Sequence, residues 1–123
     1  MVDGAHIYWG RANGIGRANL DGTGVNLDFI KGGGTCGTVV DGAHIYWVGP
    51  NGTIGRANLD GTGVNESFIT LPGSGAGRIC GHDSTYLYWT STSSIGRARL
   101  DGTGVQDDFI TGLNAPSGCA IGP

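Results

Sequence analysis

Long apolar runs are missing from this chain: nothing approaches the roughly 18–20 consecutive apolar residues of a membrane-spanning helix. The opening MVDGAHIYWG has neither a basic start nor a signal-like apolar stretch, so no secretory leader is expected. Met1 sits directly before a repeat already under way, which reads as a mature or truncated boundary and leaves the compartment unknown. Charge is scarce as well. Seven basic and ten acidic residues give a net charge of −3, with no run of one sign, which argues against nucleic acid or an anionic membrane as partner. Only one glutamate is present, Glu66, and there is no GxSxG, P-loop or HExxH pattern. The three cysteines form no CxxC or CxxH spacing, and an odd count argues against a complete intrachain disulfide framework. Helical periodicity is absent throughout.

What the chain has instead is repetition. IGRANLDGTGV occupies residues 15–25 and again 54–64, and IGRARLDGTGV occupies 95–105. A period of about 40 residues calls for a repeat architecture. Gly makes up 26 of 123 residues and recurs at the same places in each copy, so it marks turns, where a linker would scatter it. AHIYW at 5–9 and 43–47, and TYLYW at 85–89, are apolar without clean alternation, as expected for strands covered on both faces. IGRANL follows as a second strand, Asp-Gly-Thr-Gly as a tight hairpin, and a third strand ends in Phe-Ile. Each copy is thus about four short strands, and four-stranded antiparallel units at this period are propeller blades. The predicted fold is all β, a single half-propeller with blades over 2–35, 36–76 and 77–116 and a spare strand at 117–123.

HIYW, then IGRANLDGTGV, then FI resembles the YWTD-type blade of six-bladed propellers, especially the Gly-rich bacterial versions, over essentially the whole chain. The resemblance implies a bacterial, extracytoplasmic parent. One departure stands out: Trp9-Gly10-Arg11, Trp47-Val48-Gly49 and Trp89-Thr90-Ser91 stand where the family has Trp-Thr-Asp.

Propellers close at about four to eight blades, so three leave open apolar faces and edges. The first copy has only MVDG before its aromatic strand, whereas the C-terminus carries a spare strand, GCAIG at 118–122. Two chains placed head to tail would make six blades with two equivalent junctions. The expected partner is therefore the chain itself, as a homodimer closed through Val2, Asp3, Ala5, Ile7 and Trp9 of one copy and Cys119, Ala120 and Ile121 of the other.

Residues that recur in every blade read as scaffold: Arg17, Arg56 and Arg97; Asp21, Asp60 and Asp101 in the turns; Trp47 and Trp89 with Trp9; and Phe29, Phe68 and Phe109. The arginines are expected to hydrogen-bond backbone or carboxylate between neighbouring blades. His6 and His44 occupy one repeat position, where the third copy has Tyr86, which points to ring packing. Cys36, Cys80, Cys119 and the unique His82 fall near the innermost strands and are the channel candidates. By count from the repeat aspartates, the cysteines share one face of a regular strand, where small apolar packing is the expected role and a ring of thiols able to bind a soft metal or to pair is the alternative. No catalytic, metal or cofactor set is expected, because a catalytic site needs several different residues converging and so breaks a repeat. The leading expectation is a non-enzymatic, self-assembling scaffold or interaction module. The other is a carbohydrate-binding protein or enzyme with a channel site using Cys, His82 or aromatic residues.

Overall fold

The computed structural model describes residues 4–11, 14–31, 38–49, 52–71, 78–91 and 93–113, which are all β with turns. Strands β1 (His6–Arg11), β2 (Gly14–Asn19) and β3 (Asn26–Lys31) form a three-stranded antiparallel sheet in that order. A four-stranded sheet follows: β4 (Thr38–Val40), β5 (His44–Val48), β6 (Thr53–Asn58) and β7 (Asn65–Thr70). The third comprises β8 (Arg78–His82), β9 (Tyr86–Thr90), β10 (Ile95–Arg99) and β11 (Gln106–Ile110). Three meandering antiparallel sheets stacked face to face are propeller blades.

The turns explain the repeated Asp-Gly-Thr-Gly. In each, an Asp carboxylate oxygen accepts the amide of the Thr two residues on, at 2.9 Å, and that Thr's hydroxyl at 2.5 to 2.6 Å. This local cap holds the following backbone in a left-handed bend, and Gly22, Gly61 and Gly102 supply it with φ near 87°.

Register fixes a second repeated contact. Trp9 lies opposite Gly16, Trp47 opposite Gly55 and Trp89 opposite Gly96. Each indole lies across the glycine, so a Cβ there would fall inside the ring's van der Waals surface. The outer strand pairs are bulged alike in all three sheets: Ile15 pairs Ile30 while Arg17 pairs Asn26, and the other blades repeat this. A bulge bends its strand locally, and here the third strand's Phe lies under the arginine of the second.

The core lies between the sheets. One cluster joins Tyr8, Ile15 and Ile30 of the first blade to Val40, Ile45, Trp47 and Ala57 of the second. The other joins Tyr46, Ile54 and Ile69 of the second to Ile79, Leu87, Trp89 and Ala98 of the third. Coverage on both faces holds for β5, where the adjacent Ile45 and Tyr46 are both fully buried, but not for β9, where Leu87 is buried against the second blade while Tyr86 and Tyr88 on the other face are half-buried. It fails likewise for β1, whose Ile7 is 40% exposed, because no blade covers that side among the described residues. The parity argument for the cysteines also fails at Cys80. Ile79 pairs Trp89 while Gly81 pairs Tyr88, so Cys80 sits in a bulge where strict alternation is broken. Val2, Asp3, Cys36, Cys119, Ala120 and Ile121, and with them the spare strand at 117–123, lie outside the described residues.

Candidate functional site

Among the described residues the seam between blades is the most elaborated surface, and it is built twice. On the leading side, each blade presents a Tyr, an Arg and a Phe in one stack. Tyr8 and Phe29 lie 6.0 Å apart between centroids, and Tyr46 and Phe68 6.3 Å. Over each Phe sits a guanidinium, Arg17 at 4.1 Å and Arg56 at 4.0 Å. The stack aims the arginine across the seam. Arg17 Nη1 donates to the Leu59 carbonyl at 3.2 Å, and Arg56 Nη1 to the Leu100 carbonyl at 3.1 Å. Those leucines directly precede the Asp-Gly-Thr-Gly turns, whose glycines also rest on the preceding blade. A Cβ at Gly61 would lie 3.2 Å from Phe29, and one at Gly102 3.0 Å from Phe68.

Asp41 and Asp83 organise the inner corner of the second and third blades. Asp41 accepts the amides of Ala43 and His44 at 2.7 Å and the hydroxyl of Tyr46 at 2.8 Å. Asp83 repeats this with Thr85, Tyr86 and Tyr88. Burial alone would raise the Asp41 carboxyl, but the two amides and the Tyr46 hydroxyl outweigh it and hold the group below its ordinary value. Asp83 is lowered first by the Tyr86 amide, then by that of Thr85. Conversely, burial and the neighbouring carboxylate raise the Tyr46 and Tyr88 hydroxyls. The turn carboxylates Asp21, Asp60 and Asp101 are lowered by the Thr hydroxyl and then the Thr amide that each accepts.

His6, His44 and Tyr86 pack as tilted pairs against Tyr8, Tyr46 and Tyr88, with centroids 6.1 to 6.3 Å apart. His82 ties two blades together: its Nε2 lies 2.8 Å from the Val40 carbonyl and its Nδ1 3.0 Å from that of Asp83. Cys80 is disulfide-bonded, a covalent role where the sequence suggested apolar packing. In the third blade Asp107 accepts the Trp89 indole N–H at 3.1 Å and the Ser91 hydroxyl at 3.0 Å. An open groove of about 540 Å³ runs between the first two blades, past His6, Arg17, Asp41 and Asp60. Arg17 and Asp41 there are committed to the hydrogen bonds above, so the groove's polar lining is structural.

The repeated tryptophans and turn aspartates stay one per blade and do not converge. Among the described residues no group of three His, Cys, Asp or Glu is placed to hold a metal ion. Sequence reasoning missed two contacts: the glycine beneath each Trp and the Asp41–Tyr46 and Asp83–Tyr88 pairs. Both were encoded in the repeat, and pairing the strands residue by residue exposes them.

Among the described residues the outer blades carry the same surfaces without a neighbouring blade. Ile110 is 43% exposed, against 3% for its equivalents Ile30 and Ile69, and Phe109 is 40% exposed. On the opposite end Leu20 is 55% exposed, whereas Leu59 and Leu100 pack against the core.

No protein-family model matches the chain, and no curated protein does. Among solved structures it is similar to a chain in the crystal structure of a nidogen/laminin complex, with a TM-score of 0.70 and 26% sequence identity. The match covers 93% of this chain and 47% of that one, so this chain spans about half the length of the solved chain. Three stacked antiparallel sheets and this similarity together support a YWTD-like β-propeller relationship for the chain.

Proposed function

We propose that this chain is a non-enzymatic β-propeller interaction module that completes itself by homodimerisation, two copies standing head to tail in a six-bladed ring. The supporting observation is the pair of open end faces. Ile7 and Leu20 on one, and Phe109 and Ile110 on the other, are exposed at positions whose equivalents inside the chain are covered by a neighbouring blade. Exposed apolar faces of this kind mark interaction surfaces. One chain supplies three blades, about half of the solved propeller chain it matches. Further ligands would meet the completed ring at its loop-rich ends or channel mouth, a placement that rests on analogy with other propellers.

Light scattering after size exclusion, over a dilution series, tests the reading. The expected result is a species of twice the 12.5 kDa chain mass that persists on dilution. A well-folded species of single chain mass at every concentration overturns it.

A further inference from the structure

We infer that the junction between copies reproduces the internal seam contact for contact: the Arg97 guanidinium of one chain donates to the Leu20 carbonyl of a second, over a Phe109 ring seated on that chain's Gly22. The inference rests on the homodimer reading and names the chemistry of its interface.

Three observations converge on it. First, Arg97 is already stacked as its equivalents are, with its Cζ 3.9 Å above Phe109 and 4.0 Å above Tyr86. Arg17 and Arg56 use that posture to reach a leucine carbonyl in the next blade, whereas Arg97 donates through Nε to Gln106 within its own blade at 3.0 Å. Second, Leu20 precedes its turn just as the acceptors Leu59 and Leu100 do, and it lies on the uncovered side of the first blade. Third, the turn glycines Gly61 and Gly102 rest on Phe29 and Phe68, whereas a Cβ at Gly22 would have nothing within 4 Å. Phe109, the ring that has no such glycine upon it among the described residues, is 40% exposed.

Donor, acceptor, ring and seat are thus all present in one chain, at opposite ends. The apolar parts match in the same way. Ile110 stands where Ile30 and Ile69 are buried against the next blade, and Ile7 stands where Ile45 and Leu87 receive them. A partner of unrelated sequence would have to reproduce the leucine carbonyl, the glycine seat and the apolar strand together. A second copy has them by construction, and a two-fold ring uses both junctions equally.

The test has two arms. Arg97→Ala and Arg97→Lys are compared with the wild-type chain for dimer dissociation, with circular dichroism recording the fold. Loss of a hydrogen bond from a charged donor at each of two seams raises the dissociation constant by about 100-fold for Arg97→Ala. Arg97→Lys, which keeps the charge but loses the planar fork, weakens it less. In the second arm, a benzophenone side chain replaces Phe109 in a mixture of light and isotopically heavy chains. A light–heavy cross-link to the peptide containing Leu20 and Gly22 is expected. A stable dimer that cross-links elsewhere, or that dissociates like wild type when Arg97 is Ala, overturns the assigned junction while leaving the homodimer intact. Absence of any dimer in the wild-type chain overturns the homodimer reading and this inference with it.

Discussion

A methyl group added at Gly55 meets the indole of Trp47, which is 2% exposed and enclosed between the first two blades. The ring cannot swing aside without disturbing Ile45 and Ala57, so Gly55→Ala is expected to cost about 1–3 kcal/mol, read as a lower urea midpoint with an unchanged slope. Gly16→Ala faces the half-buried Trp9 at the uncovered end and costs less in the isolated chain. Titration belongs at this scale too. Asp21, Asp41, Asp60, Asp83 and Asp101 all have carboxyls lowered from 3.8 in the folded chain. A group depressed on folding stabilises fully above its unfolded value and loses that contribution as pH falls through its folded value. The Tm is therefore expected to hold steady from about pH 7 to 5 and to drop below about pH 4. Asp41→Asn, which cannot be protonated, flattens part of that drop; an unchanged slope excludes Asp41 from the acid response.

At the scale of the blade, the arginine stack is the device that makes two neighbours one unit. Arg17→Ala removes both the bond to the Leu59 carbonyl and the cation–π contact with Phe29. A loss of about 1–3 kcal/mol is expected, checked by denaturant unfolding. Arg17 tests a seam inside the chain, so its loss lowers the stability of the single chain itself. Much of this level was legible in the sequence. The Asp-Gly-Thr-Gly turn dictates a hairpin by local chemistry alone, and the 40-residue period then dictates blades. The recurrence of Arg17, Arg56 and Arg97 marked scaffold positions, but the acceptor is a backbone carbonyl, which carries no sequence signature. Cys80 escaped for a different reason: face-counting assumes a regular strand, and the bulge before Gly81 breaks it. The Trp–Gly contact was hidden because it joins residues seven or eight apart across a hairpin, where only register reveals the pairing.

Across the whole molecule, the uneven exposure of equivalent residues carries the most information. Ile30, Ile69 and Ile110 differ little in local sequence yet differ in exposure by their place in the stack. Sequence periodicity can assign all three to one face, but only the arrangement of blades shows which is uncovered. If association covers Ile110, folding and assembly are linked, and the Tm should fall as the protein is diluted. A Tm independent of concentration would mean that the end faces stay open. The sameness of the blades also has a kinetic side. Hairpins within a blade form from neighbouring residues, quickly, whereas the choice of which blade stacks on which is made later. Residues 15–25 and 54–64 are identical, so a newly formed blade meets nearly the same surface on its own chain as on another. Refolding at high concentration should therefore give swapped and oversized species, and the yield of the smallest closed form should rise as the refolding mixture is diluted.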